Sequence, residues 1–297
     1  MKSMKVLYLE TSMWEFDFIT QDVLMNINAE VEFFNKDNFK LFSTREDLIN
    51  KNILILNEVI HLNDIIDIVK IINPLVIMYL SDEMGDKPEI LILEKYCKLF
   101  LRQYNHIHYS YSNNDYQLPL GYVKSFLKGK SSMSIDNKKI FDREFNCSFI
   151  GSNKSDRLHM ANVFNNNMNK TNIQFVDNNW DVNNLICSPH ECFDVYENSI
   201  FTVIGRGNKA LDCFRIYEAI VAGSIPVIVG EMEEINHSFY YNGNLPPLLY
   251  ATTWENAVIR CNELLKNYKQ LQQMQDSIKT WWKNQLCFIN SLIIDVV

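Results

Sequence analysis

Short apolar runs separated by amphipathic or turn-rich stretches recur along the chain, and this alternation predicts β-strands joined by helices. Residues 5–9, 52–56 and 75–80 read as strands. A helix is expected over 20–33 and another over 61–72, where Leu62, Ile65, Ile66 and Val69 share one side and Pro74 ends the run. Residues 10–17 are polar enough to leave the sheet. A helix over 89–100 and short elements at 101–104 and 117–121 follow. The Ser-, Gly- and Lys-rich stretch 125–140 reads as a linker.

A second alternation then begins. Strands are expected at 145–150, 173–176, 201–204 and 225–229, with a short apolar element at 246–250. Helices are expected at 157–168, 190–198, 211–222, 254–267 and 268–293. Pro226 sits early in its strand and places the first register in question. The order predicts an α/β protein with two Rossmann-like parallel-sheet domains facing a cleft. Residues 1–140, linker included, would form an acceptor-side domain and 141–275 a donor-binding domain. Residues 276–297 would be a helical tail packing back across them, with Trp281 and Trp282 as packing surfaces.

Composition narrows the function. A 47% hydrophobic fraction in 297 residues excludes disorder, and a net charge of -8 gives no support to a nucleic-acid-binding surface. Seven cysteines without a CxxC pair suit a reducing compartment. No stretch reaches the roughly 20 apolar residues of a membrane span, and no secretory signal is evident at the start. The expectation is a cytoplasmic protein without an integral membrane segment, its oligomeric state unspecified.

The candidate chemistry lies at the ends of the second set of strands. Gly205, Arg206 and Gly207 follow strand 201–204, putting a flexible backbone and a cation at the carboxyl end of a parallel strand. On the next helix Arg215 and Glu218 share a face with Leu211 and Ala222, and Asp212 precedes them. Arginine suits a diphosphate and a carboxylate suits a ribose diol. The pair can equally satisfy each other. Gly151 and Ser152 follow strand 145–150, and Arg157 opens the next helix, where it can meet phosphate or form a structural salt bridge. Neither a P-loop nor GxGxxG is present.

The segment GRGNKALDCFRIYEAIVAGSIPVIVG at 205–230 resembles the donor-binding segment of the exostosin-like glycosyltransferases. RQY at 102–104, LPLGY at 118–122 and FIGS with Arg157 at 149–157 add to the resemblance. It implies the two-domain GT-B architecture and an enzyme that transfers a sugar from a nucleotide-sugar co-substrate, UDP- or GDP-linked, with inversion. It also implies a donor pocket with Glu218 on the ribose and Arg206, Arg215 or Arg157 near phosphate. The acceptor would be a glycan or glycoconjugate, and no further cofactor is required. Arg102 and Tyr104 would stand near the cleft.

Inverting transfer needs a base for the acceptor hydroxyl. Asp82 and Glu83, directly after strand 75–80, are the candidates, with turn capping as the alternative; Glu10, Trp14 and Asp17 are candidate acceptor-lining residues. No metal site is expected: no DxD triplet stands at a strand end, DNNWD at 177–181 reads as a loop or a sugar-facing segment, and the histidines lack ligand spacing. The competing reading is a nucleotide- or glycan-binding protein of the same fold without transfer.

Overall fold

The computed structural model describes residues 4–57, 60–110, 112–176, 187–239 and 244–297. The chain divides into a first unit, Met1–Leu120 with Leu286–Val297, and a second, Gly121–Gln285.

The first unit carries β1 (Met4–Leu9), a single helical turn α1 (Phe16–Phe18), β2 (Ala29–Phe34), β3 (Asn52–Leu56), α2 (Leu62–Ile72), β4 (Val76–Tyr79), β5 (Leu99–Arg102) and β6 (Asp115–Gln117). The strands form one parallel sheet in the order β2-β1-β3-β4-β5-β6. β3 and β4 are buried along their whole length, as expected where crossover connections cover both faces of a parallel sheet. Ile65, Ile68, Val69 and Ile72 of α2 join Leu54, Leu56 and Phe100 in the core. Asn73 then takes a left-handed φ of 45° and returns its N–H to Val69 O, and Pro74 blocks any extension.

Two expected helices differ. In place of a helix over 20–33 a wide turn at Ile19–Val23 is followed by strand β2, whose Val31 and Phe33 pair with Val6 and Tyr8 of β1. The Glu30 and Glu32 alternation in AEVEFF is an edge-strand pattern, and pairing with a distant strand outweighs local helical preference. Residues Pro88–Tyr96 form a 3₁₀ run, not an α-helix, before β5 starts at Leu99.

The second unit carries β7 (Phe145–Gly151), α3 (Arg157–Asn167), β8 (Thr171–Phe175), α4 (Pro189–Glu197), β9 (Ser199–Ile204), α5 (Phe214–Val221), β10 (Ile225–Val229), α6 (Met232–Phe239), β11 (Leu249–Ala251), α7 (Trp254–Leu264) and the start of α8 (Tyr268–Ile294). Its parallel sheet runs β11-β10-β9-β7-β8. Pro226 is accommodated inside β10 because pairing with β11 begins only at Val227. α4 opens on a capping box, with Ser188 accepting from the Glu191 N–H and Glu191 reaching back to the Ser188 N–H.

Residues 125–140, expected as a linker within a first domain of 1–140, fall in the second unit, which begins at Gly121. Asn137 donates to Val221 O at 2.7 Å, Gln275 Nε2 reaches Lys138 O and Gly223 O, and Trp282 Nε1 reaches Ser132 Oγ at 3.0 Å. These are backbone and polar contacts, invisible to hydrophobic periodicity. Arg143 extends them: its guanidinium donates to the carbonyls of Lys138, Tyr196, Ser199 and Ala222. The Tyr196 and Ala222 carbonyls lie at the carboxyl ends of α4 and α5, where carbonyls lack helical partners. Gly223 must be glycine, with φ of 74° and a would-be Cβ 2.7 Å from Arg143 Nη2.

α8 is one 27-residue helix, and its last residues belong to the first unit, where Asn290 Nδ2 donates to Val23 O at 3.1 Å and Phe288 meets Tyr116 edge-on. Among the described residues no helix is long and apolar enough to cross a membrane.

Candidate functional site

In the second unit the strand order reverses between β7 and β9: the connection after β7 runs to β8 on one side, and the chain then returns to β9 on the other. Loops leaving the carboxyl ends of two such strands diverge and leave a crevice, the usual ligand position in an open α/β sheet. Gly151 and Ser152 leave β7 there, and Gly205, Arg206 and Gly207 leave β9.

Arg157, in the first turn of α3, spans the two loops. Its Nη1 donates to Ser152 O at 3.0 Å, its Nε to Gly205 O at 3.4 Å, and its guanidinium lies 5.1 Å from the centre of the Phe149 ring. Gly205 makes this approach possible, because a Cβ there would sit 2.5 Å from Arg157 Cγ and 2.9 Å from Asp156 Oδ1. Arg157 is 5% exposed, and no carboxylate among the described residues lies within ion-pair distance of it. Burial therefore lowers its pKa, and the nearby Arg215 lowers it further. A buried cation held by carbonyls and stacked on a ring is electrostatically incomplete.

Arg206 and Arg215 have carboxylate partners. Arg206 forms a two-point ion pair with Glu234 on α6, while its backbone N–H donates to Asp156 Oδ1 at 2.9 Å. Asp156 Oδ2 accepts from Trp254 Nε1 at 3.1 Å, so this carboxylate ties the β9 loop to α7. Arg215 donates from Nε to Ile150 O at 2.9 Å and from Nη1 to Glu218 Oε2. Glu218 is wholly buried, and its other oxygen, Oε1, has no hydrogen-bond partner. An unsatisfied buried carboxylate oxygen is costly and is ready to accept from a hydroxyl.

Gly151, Ser152, Arg157, Gly205, Arg206, Gly207, Arg215 and Glu218 thus gather around the β7 and β9 ends. The helix expected over 211–222 starts only at Phe214, so Leu211 and Asp212 lie in the loop before it. Asp212 is buried and accepts from Tyr217 Oη at 2.8 Å. Gly207 closes a tight turn by donating its N–H to Ala210 O. Sequence reasoning missed Asp156 and Glu234. Asp156, beside Arg157 before a helix, carried a local signal as an acidic helix-start residue; Glu234, 28 positions from Arg206, carried none.

In the first unit Asp82 is buried and committed. Its Oδ2 accepts from Tyr109 Oη at 2.6 Å, its Oδ1 from the Asp86 N–H at 3.2 Å, and its carbonyl lies 2.7 Å from His106 Nε2. These contacts brace a turn in which Ser81 and Asp82 both have positive φ, 118° and 76°. Glu83 is half-buried in the same turn. Arg102 is buried against Asp115, with Nε 3.1 Å from the carboxylate, and also donates to Tyr104 O; burial pushes the Asp115 carboxyl up to about 6 while Arg102 opposes it. No group of three or more His, Cys, Asp or Glu among the described residues could hold a metal ion, and DNNWD at 177–181 lies outside the described residues.

Solved structures share this fold. Anabaena HepE, solved in complex with UDP and glucose, aligns with a TM-score of 0.53 at 10% identity over 98% of this chain and 98% of its own. The Thermobaculum terrenum O-GlcNAc transferase aligns with a TM-score of 0.53 at 9% identity over 99% of this chain and 66% of its own. With the two parallel sheets, the likeness gives the chain the two-domain Rossmann-like GT-B fold. No curated protein sequence matches the chain. The exostosin-like expectation stands at the level of a glycosyltransferase family. Residues 125–297, which carry the entire β7 and β9 site, match the family described as the RXYLT1 C-terminal domain, and the chain belongs to that family.

Proposed function

We propose that the chain is a nucleotide-sugar-dependent glycosyltransferase, acting on a glycan or other hydroxyl acceptor with inversion at the anomeric carbon. The observation that carries this reading is Arg157, a buried guanidinium without a carboxylate at the β7 and β9 ends. A diphosphate is the anion that site lacks, and HepE, of the same fold, was solved with UDP. Glu218 Oε1 would accept from the ribose diol, with Arg215 holding the other oxygen. Arg206, Gly151, Ser152, Gly205 and Gly207 would line the phosphate path, and Asp212 would fix the loop beside it.

On this reading the second unit takes the donor and the first the acceptor. The acceptor oxygen bonds to the anomeric carbon as the glycosyl–phosphate bond breaks, and the arginines stabilise the charge growing on the leaving diphosphate. The base is a first-unit carboxylate. Asp82 and Glu83 remain candidates, although both Asp82 oxygens already accept hydrogen bonds.

The test is a panel of UDP- and GDP-sugars with and without EDTA, reading nucleoside diphosphate release and mass gain on hydroxyl acceptors. Donor-dependent transfer supports the proposal. Binding of UDP and GDP without transfer to water or any acceptor favours the non-catalytic reading, and absence of nucleotide binding ends both.

A further inference from the structure

α4 packs against the carboxyl end of β7. Its buried Tyr196 exchanges hydrogen bonds with Ile150, the residue before Gly151: Oη donates to Ile150 O at 3.2 Å and accepts from the Ile150 N–H at 3.4 Å. Ile150 O also accepts from Arg215 Nε at 2.9 Å. One turn ahead of Tyr196 on α4 stands Cys192, buried, and just before the helix stands Cys187, half-buried.

The start of α4 holds these two sulfurs together. With Ser188 as the cap, Cys187 precedes the cap and Cys192 is the fourth helical residue, the two positions that pack across a helix start as a hydrophobic staple. Here both members are thiols, and their Sγ atoms lie 3.5 Å apart. A disulfide bond of about 2.05 Å requires them to close by about 1.5 Å, a small side-chain movement. The two thiols are unequal. Cys187 donates to Ser188 O at 3.7 Å, which leaves Cys192 as the donor between the sulfurs. That hydrogen bond lowers the Cys187 pKa against the opposing effect of burial; the same bond, and then burial, raise that of Cys192. The accessible sulfur is the readier thiolate, and the buried one is a thiol in place to attack it once it is oxidised. The charges of Arg215 and Glu218 act on both.

We propose that Cys187 and Cys192 are a modification site, a dithiol beside Arg215 and Glu218 that hydrogen peroxide closes to a disulfide. The Cys187 thiolate attacks one peroxide oxygen and the O–O bond breaks; Cys187 becomes a sulfenic acid, and the departing hydroxide takes up a proton. Cys192 Sγ gives up its proton and bonds to Cys187 Sγ, the S–O bond breaks, and a second hydroxide leaves as water. Two thiols and one peroxide give one disulfide and two waters, with two electrons passing from sulfur to oxygen. A diphosphate bound beside Arg215 offsets the cation that favours the Cys187 thiolate, so nucleotide slows the reaction. This coupling, unlike the disulfide itself, rests on the nucleotide-sugar reading.

The experiment exposes the wild-type chain to hydrogen peroxide, blocks remaining thiols with iodoacetamide and maps tryptic peptides by mass spectrometry. Residues 171–206 make one such peptide, with Cys187 and Cys192 as its only cysteines, and the exposed Cys287 gauges peroxide exposure in the same sample. The peptide is expected to lose two hydrogens and take no alkyl group, both reversed by dithiothreitol. Cys192→Ser stops at a Cys187 sulfenic acid that dimedone traps, and in Cys187→Ser the buried Cys192 stays reduced. Alkylation of both cysteines once Cys287 is oxidised, or a Cys187 sulfinic acid in place of the disulfide, overturns the proposal. If a serine variant does not fold, the wild-type map alone decides. Saturating UDP is expected to slow disulfide formation by about threefold or more. An unchanged rate in protein that binds UDP by calorimetry overturns the coupling, whereas a protein that forms the disulfide but binds no UDP sinks the nucleotide reading and leaves the modification site standing.

Discussion

Arg206 and Glu234 meet fork to fork, Nη1 with Oε1 and Nη2 with Oε2 at 2.6 Å, although 28 residues separate them. The pair is partly exposed, 28% and 39% by side chain, so its net strength is that of a surface pair, about 0–1 kcal/mol. Such a contact can be exchanged for a phosphate. Glu234→Gln removes the competitor and is expected to tighten UDP binding by up to about fivefold, measured by calorimetry at low salt. Weaker binding would show that Glu234 orients Arg206 for the ligand instead.

Arg157 has no carboxylate to release, and its substitution should read differently. Arg157→Met removes a buried charge but leaves the Ser152 and Gly205 carbonyls without their donor, so a modest stability loss of about 1–2 kcal/mol is expected. UDP affinity should fall by about tenfold or more as a charge-assisted hydrogen bond is lost. Urea unfolding and calorimetry on one preparation check both, and a large stability loss with unchanged affinity would make Arg157 a purely structural strut. Gly205→Ala should reproduce the affinity loss through sterics alone, because its Cβ displaces Arg157 Cγ from a 2.5 Å approach.

The buried Glu15 carboxyl makes a prediction about stability. The unfolded chain gives up this proton near 4.5, whereas the folded chain holds it to about 7. Between those values the native state binds more protons, so this residue's contribution to stability falls as pH rises and levels off above 7. Glu15→Gln removes that slope. Its stability relative to wild type should grow by about 3 kcal/mol between pH 4 and pH 8, read from urea midpoints. Parallel curves for the two proteins would mean that the Glu15 carboxyl is solvated.

Arg143 should be the costliest single loss in the second unit. Burial brings its pKa down to about 10, yet its donors satisfy carbonyls from four residues. Arg143→Leu strands those acceptors and is expected to destabilise by about 3 kcal/mol or more in denaturant unfolding. A change below about 1 kcal/mol would imply that water takes its place.

The legible part of the site was the part built from contiguous chain. Apolar runs at β3, β4, β9 and β10 announced strands buried on both faces, and polar, glycine-bearing segments directly after β7 and β9 announced their ligand ends. Arg215 and Glu218, one helical turn apart, were readable for the same reason. β2 was not readable, because AEVEFF becomes a strand through pairing with β1 and its local pattern also suits a helix. Nor was the allegiance of residues 121–140, which is set by Arg143, Gln275 and Trp282 through contacts to backbone carbonyls and Ser132.

By itself, then, the sequence determined the α/β class, two successive parallel sheets and the cationic loops at the ends of the second. Those follow from burial periodicity and short-range spacing, which a linear pattern records. Only the tertiary structure decided that Arg206 is neutralised by Glu234 while Arg157 is not, that Asp82 is spent bracing its turn, and that the Glu15 carboxyl is buried. Charge compensation and desolvation depend on which distant groups share a few ångströms of low-dielectric space, and chain order does not encode that separation directly.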